Sequence, residues 1–465
     1  MNNKIKFGTD GWRAIIAEEY NFENLSRVTI GTLKWLKKRN NNPSVVIGYD
    51  CRFGGEIFSD LCAKILSSSG VNVIQSTTFA ATPVVSYAVK HFNCDLGIVI
   101  TASHNPAEYS GFKLKGSYGG PLTQKEILEV EELIPDKSNL NYEKLNSENI
   151  KYQDLDLIYL NNIEKEFDFE LMSKKDLKIA YNGMFGAGQG IMKKLSKYFS
   201  KHSLYHNCCF NPSFNNINPE PIFKNLQDFS NIIQNDISFA FANDGDADRI
   251  GIMNEKGHFV DSHHVMLLLI HYLVSHKKIT GDVVTSFSCS NKIKKLCDHH
   301  GLNHQVTKIG FKYIADIILK NDVLIGGEES GGISVKGHIP ERDGIWTAMI
   351  LIEYIAKSGK SINELIEEIY DITGPFCFKR NDLKISTKEK NQIIKMCEND
   401  SFSHFQDLKV IKVEKLDGFK FIFNEDEWVM IRPSGTEPLL RIYAEGSSEE
   451  RAESILSKTI KTISN

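Results

Sequence analysis

Runs of apolar residues ended by polar turns recur along the chain, and their order predicts its architecture. In the first third, SVVIGYD (44–50) reads as a strand, 58–68 as a helix, VNVIQS (71–76) as a strand and DLGIVIT (95–101) as another. Such a strand–helix–strand series builds a parallel-rich sheet. A second block repeats the pattern with LKIAYNG (177–183), the glycine-rich MFGAGQG, a helix from about Ile191, and ISFAFANDGDADRIGIM (237–253). A third has a helix from His264, strands in GDVVTSFS (281–288), HQVTKI (304–309) and DVLIGGEESGG (322–332), and a helix from Ile345. The last stretch differs. DGFKFIFNEDEWVMIRPS (417–434) and LLRIYAEG (439–446) read as antiparallel strands followed by one helix from Ser448, a small α+β domain.

A chain of 465 residues is too long for one core. The pattern divides it into α/β blocks at 1–150, 151–254 and 255–372 and a C-terminal α+β domain at 373–465. The joins fall in the charged, Asn-rich stretch 135–151, the turn at 254–257 and the ITGPFCFKRND region around Gly374. The three blocks share a pattern, but their sequences are too diverged to align as a triplication.

Composition then narrows the function. With 41% hydrophobic and 25% charged residues the chain is an ordinary soluble globular protein. A net charge of −4 argues against nucleic acid or an anionic membrane as its partner. The greasiest run, VMLLLIHYLV (265–274), is too short to span a bilayer and reads as a buried helix. MNNKIKFGTDGW lacks the apolar core of a signal peptide, and the nine cysteines show no metal-ligand spacing. An odd count without a secretion signal points to reduced thiols in the cytoplasm.

Candidate chemistry clusters in the loops. GIVITASHNPAEYSGFK places Ser103 beside His104 just past a buried strand, where Pro106 breaks the regular backbone. NDGDADRIG places Asp244, Asp246 and Asp248 after an apolar strand. Carboxylates this dense repel one another unless a cation sits among them, and oxygen-only ligands select Mg²⁺. Asp244, Asp246, Asp248 and Glu255 also match positions of an EF-hand, but Arg249 stands where that loop needs glycine. Arg249 instead supplies positive charge to a phosphate on the metal.

IRPSGTEPLLRIY groups Arg432, Ser434, Gly435 and Thr436 on a turn, with Arg441 following, a set suited to a phosphate or to a plain hairpin. IGGEESGG offers Glu328 and Ser330 on a glycine-freed backbone that suits paired sugar hydroxyls, with His338 and Arg342 nearby in GHIPERDGI. FGTDGWR sets Arg13 behind two glycines, as an anion contact or an exposed arginine on a turn. Together these are the parts of phosphoryl transfer to a sugar phosphate.

In this order FGTDGWR, TASHNP, DGDADR, GEESGG and RPSGTEP resemble the α-D-phosphohexomutase superfamily of phosphoglucomutases, phosphomannomutases and phosphoglucosamine mutases. The resemblance implies three similar mixed-sheet α/β domains plus a C-terminal α+β domain around a central cleft. It implies that Ser103 is a phosphoserine completing a Mg²⁺ shell with Asp244, Asp246 and Asp248. Lys113 of GFK would move the proton, with His104 and Arg13 lining the site. Glu328 and Ser330 would hold sugar hydroxyls, and Arg432, Ser434, Gly435 and Thr436 the phosphate that is not reacting. The partner is then a small sugar phosphate, passing through a bound hexose 1,6-bisphosphate that also acts as activator, in a protein acting as a monomer or dimer.

Ser110 stands where many members carry Asn. The GEESGG loop resembles the glucose- and mannose-phosphate type more than the GEQSGH-like loop of phosphoglucosamine mutases, which leaves the latter as the alternative. A sugar-phosphate binding protein would have no use for the nucleophile and metal, and a phosphatase none for the second phosphate clamp.

Overall fold

The computed structural model describes residues 4–233, 236–433 and 439–464. Its first sheet is built around the strand Leu96–Ile100, whose five residues are all buried. A strand covered on both faces requires that unbroken apolar run. It pairs in parallel with Ser44–Tyr49 and antiparallel with Tyr109–Gly116. Asn72–Ser76 lies beyond Ser44–Tyr49, and the edges are Trp12–Ile15 and Ile150–Gln153.

The same four-strand plan recurs twice. In the second sheet Phe239–Asn243 stands between its antiparallel return Ile250–Met253 and the parallel pair Ile179–Asn182 and Leu204–His206. In the third, Val323–Gly327 stands between its return Ile333–Val335 and the parallel pair Asp282–Ser286 and His304–Thr307. In all three sheets, the loop joining the central strand to its return carries a motif: the Ser103 loop, the aspartate loop and the Glu328 loop. A likeness that the sequences alone do not establish is plain in the topology.

The fourth sheet is wholly antiparallel, ordered Cys377–Lys384, Leu439–Gly446, Trp428–Pro433, Phe419–Ile422, Lys412–Glu414. One apolar cluster runs without a break from Val85 in the first domain through Tyr159 to Leu268 and Leu351 in the third. Each such leucine contributes about 1.5–3 kcal/mol by leaving water. The C-terminal domain keeps a separate core around Phe405, Ile431 and Ile455. A small cluster of Phe287, Trp428, Met430 and Tyr443 joins it to the third domain.

Three expectations need correction. Ile150–Gln153, at the proposed first boundary, is an edge strand of the first sheet, hydrogen-bonded to Asn72–Ser76. Phe259–Val260 pairs with Ile250–Met253, so the second sheet runs past Asn254. The C-terminal domain holds two long helices, because Thr387–Glu398 precedes the strands. That helix is polar and mostly exposed, so hydrophobic periodicity is silent there, but its capping box of Ser386 and Glu389 is legible in STKE. Among the described residues no helix is long and apolar enough to cross a membrane. All nine cysteines are free thiols.

One buried acid gives a stability test. Asp156, in the first turn of the helix Leu155–Glu166, is buried, and burial pushes its carboxyl up to about 6 against the pull of Lys194. The folded state then holds that proton more tightly than the unfolded chain. Its contribution favours folding below about pH 4 and is lost as pH rises through about 6. Asp156→Asn is expected to raise the thermal unfolding midpoint at pH 7.5, with the gain vanishing near pH 4.

Candidate functional site

The Ser103 loop leaves the strand Leu96–Ile100 with Ser103 itself in the left-handed region, at φ +52°. A non-glycine residue there costs about 1–2 kcal/mol, so the surroundings must hold it. They do so from both sides. Ser103 N donates to Thr101 Oγ1 at 2.8 Å, and Thr101 Oγ1 donates to Asp50 Oδ2 at 2.5 Å. From beneath, the buried Arg52 guanidinium donates to the carbonyls of Ser103 and Asn105 through Nη2, at 2.5 and 2.7 Å. Its Nη1 donates to those of Pro106 and Tyr109, at 2.8 and 3.1 Å. Arg52 Nε lies 3.2 Å from Asp50 Oδ2.

The aspartate loop meets this loop backbone to backbone. A Cβ on Gly245 would stand 2.5 Å from the Ser103 carbonyl oxygen, so only glycine permits the approach. Ser103 Oγ thereby donates to Asp244 Oδ2 at 2.7 Å. Thr82 Oγ1 and N donate to the Asp246 carboxylate and carbonyl, at 2.5 and 2.9 Å. Ala247 takes the left-handed conformation in this loop, as Gly331 does in the third.

Asp244, Asp246 and Asp248 are fully buried and bring ligand oxygens within 4.8 Å of one another. Burial, then the neighbouring Asp246 and Asp248, push the Asp244 carboxyl well above the usual range. Three anions cannot share this space without added positive charge. Lys113 supplies part of it, with Nζ at 2.7 Å from Asp246 Oδ2, 3.0 Å from Asp248 Oδ2 and 2.8 Å from Asp10 Oδ2. Burial works against the Lys113 charge, but these carboxylates outweigh it and raise its pKa. Arg342 Nη2 donates to Asp248 Oδ2 at 2.7 Å and also pairs with Asp10. Asp246 Oδ1 and Asp248 Oδ1 remain buried without a hydrogen bond, with Arg249 Nε 3.9 Å from Asp248 Oδ1, and the three aspartates offer oxygen ligands only. That donor set fits Mg²⁺. The strands flanking the loop are those of a sheet hairpin, unlike the helices of an EF-hand.

Around the serine, His104 Nδ1 lies 3.4 Å from Ser103 Oγ. Burial, then the charges of Arg249 and Arg13, hold the His104 ring neutral by lowering its pKa well below the ordinary value. Arg13 Nη1 donates to Asn105 Oδ1 at 2.6 Å, and Arg249 reaches Glu220 Oε1 at 3.3 Å. In the third loop Glu328 Oε1 accepts from Gly310 N at 3.0 Å, and Arg342 Nη1 lies 3.9 Å from Glu328 Oε2. Burial pushes the Glu328 carboxyl up to about 7. Ser330 is half-buried beside it.

Arg432 and Arg441 face each other across the ladder of the fourth sheet. Like charges directly opposite are unfavourable unless an anion joins them, and Asp417 answers Arg432 from 3.3 Å. Ser434, Gly435 and Thr436 lie outside the described residues.

One expected contact is corrected. The His338 ring is buried, stacked on Trp346 at 3.7 Å and bonded through Nε2 to Asp343 Oδ2 at 2.8 Å. It belongs to the packing between domains, with Tyr87 and Tyr159 against it, and does not line the cleft. Conversely, the motifs do not single out Asp10, Asp50, Arg52, Thr82, Lys115 or Glu341. Lys115 Nζ donates to Glu341 Oε2 at 2.5 Å and reaches Asp10 Oδ1 at 3.5 Å. The signal for Asp50 and Arg52 was present, since YDCR ends a buried parallel strand with two opposite charges.

Family profiles described as phosphoglucomutase/phosphomannomutase alpha/beta/alpha domains I, II and III match residues 4–141, 158–257 and 261–372, and the C-terminal domain of the same family matches 390–461. The chain belongs to the phosphoglucomutase/phosphomannomutase family. It is 33% identical to a phosphoglucomutase/phosphomannomutase of Thermococcus kodakarensis, over 98% of each chain. It is 29% identical to a phosphoglucosamine/phosphogalactosamine mutase of Sulfurisphaera tokodaii, again over 98% of each. The crystal structure of a candidate phosphomannomutase from Thermus thermophilus matches with TM-score 0.89 and 31% identity over all of both chains. The four-domain α/β architecture is that of this phosphohexomutase family.

Arg52 provides the test of this geometry. A lysine keeps the charge that Asp50 requires but cannot reach four carbonyls at once. Arg52→Lys is expected to lower kcat by about 10²-fold with little change in KM, because the loop carrying Ser103 loses its register. Steady-state kinetics on the purified variant checks it.

Proposed function

We propose that this protein interconverts the 1- and 6-phosphates of glucose and mannose, passing a phosphoryl group between Ser103 and the bound sugar through a hexose 1,6-bisphosphate. The observation that carries the reading is the Ser103 hydroxyl set 2.7 Å from the first carboxylate of a buried aspartate triad. Asp244, Asp246 and Asp248 would hold Mg²⁺, which when bound supplies positive charge to the triad and to the phosphoryl in transit.

This chain's own residues do the rest. Lys113 holds a proton at Nζ beside the triad and exchanges it with the oxygen that gains or loses the phosphoryl group. Arg13 and Arg249, whose charges both bear on His104 next to Ser103, draw the phosphoryl oxygens into line, and neutral His104 keeps its Nδ1 toward the serine oxygen. Glu328 accepts from sugar hydroxyls, with Ser330 beside it. Arg432 and Arg441 hold the phosphate that is not reacting. That clamp binds an anion without reading its position on the ring, so both orientations of the bisphosphate fit.

The test is conversion of glucose 1-phosphate to glucose 6-phosphate with Mg²⁺ and a trace of the bisphosphate. Wild type should isomerise, while Ser103→Ala and metal chelation should each abolish turnover. Release of inorganic phosphate without isomerisation would overturn the reading. Side-by-side kinetics with glucosamine phosphate decide the alternative that the Sulfurisphaera tokodaii relative's name raises. A second expectation follows from Glu328, which must be ionised to accept two hydroxyls and whose pKa burial raises to about 7. Apparent sugar-phosphate affinity should rise with pH through that value, and Glu328→Gln should flatten the dependence while leaving Ser103 phosphorylatable by the bisphosphate.

A further inference from the structure

Four of the protein's histidines gather in the third domain, where the helix Lys292–His300 ends beside His271. His271 closes the helix Ser262–His271, which passes into a π turn at Tyr272–His276. His300 closes the helix Lys292–His300, which is stopped by Gly301 in the left-handed conformation. The helix Lys292–His300 points its carbonyl end at this spot, and a helix C-terminus carries partial negative charge. His271 Nδ1 and His300 Nε2 face each other at 3.3 Å, with ring centroids 5.3 Å apart.

That spacing is within reach of a hydrogen bond between the two rings. It also suits two nitrogens on one tetrahedral ion, each about 2.0–2.1 Å from it, which stand about 3.3–3.4 Å apart. His299 packs on His300 with centroids 5.0 Å apart, and the exposed His276 stands 6.1 Å from His271. Burial first, then the neighbouring imidazoles, lower the pKa of His271 to about 4, while the Glu368 carboxylate pulls the other way. Burial and His299 lower that of His300 as well. Both rings are therefore neutral at physiological pH and keep their lone pairs for a metal.

We propose that His271 and His300 form a second cation site, for a borderline-soft divalent transition ion such as Zn²⁺, Ni²⁺ or Co²⁺. It is separate in place and in ligand chemistry from the oxygen-only aspartate triad. Imidazole nitrogen selects these ions over Mg²⁺, so the two sites do not compete for one metal. An ion shared by the two rings would tie the two helices together.

The experiment titrates Co²⁺ into untagged, metal-stripped full-length protein in excess Mg²⁺, which occupies the triad, and reads visible ligand-field absorption. Saturable bands of nitrogen-bound tetrahedral Co²⁺ are expected, lost in His271→Ala and in His300→Ala and kept in His299→Ala. Mutase activity of each variant should match wild type, which shows that the variants are folded. Absence of bands in wild type, bands unchanged in both variants, or equal loss in His299→Ala would each overturn the assignment.

Discussion

Burying a cluster of carboxylates at the centre of a protein is possible only if cations are buried with them. Here Asp10, Asp246 and Asp248 meet Lys113, Lys115 and Arg342, and the partners come from different parts of the chain. Asp10 belongs to the N-terminal segment, the lysines to the first sheet, the triad to the second domain and Arg342 to the third. Charge neutralisation thus fixes how the domain loops meet, alongside the apolar cluster that the domains share. The site is not a pocket lodged in one domain; it exists only where three loops close on one another. Ion pairs with this little water are costly to break, because removing one member leaves the other charge stranded.

The same closure explains the backbone. Each central strand reaches the junction end-on and must reverse within a few residues, and in each loop one residue takes a left-handed conformation: Ser103, Ala247 or Gly331. In the first loop that conformation is held by Arg52 and Asp50, which touch no reacting atom. Rigidity is supplied from beneath the loop, leaving the serine hydroxyl free to face the aspartates.

Much of this was legible in the residues. Unbroken apolar runs such as GIVI and FAFA marked the central strands, and the acidic and glycine-rich motifs after them marked the loops. What stayed hidden depended on relations the sequence does not spell out. His338 looked like a polar loop residue, but Trp346 and Asp343 draw its ring into the interior. Asp10 lay inside a motif, yet its role as a shared anion needs Lys113 and Arg342 brought together from far along the chain. The helix Thr387–Glu398 faces water on most sides, so patterning by burial could not reveal it. The boundary strands Ile150–Gln153 and Phe259–Val260 are short edge pieces whose identity comes from their neighbours' hydrogen bonds.

The three repeated sheets carry a historical consequence. One backbone plan has been used three times at the same point in its course, and each copy delivers a different set of side chains: a serine, a triad of aspartates, and a glutamate with a serine. No copy holds all three sets. If a single ancestral unit was multiplied, its descendants divided the labour so completely that none can act alone. Selection on any one loop is then selection on all three, and the ancestral symmetry survives in the strands while it has been erased from the chemistry.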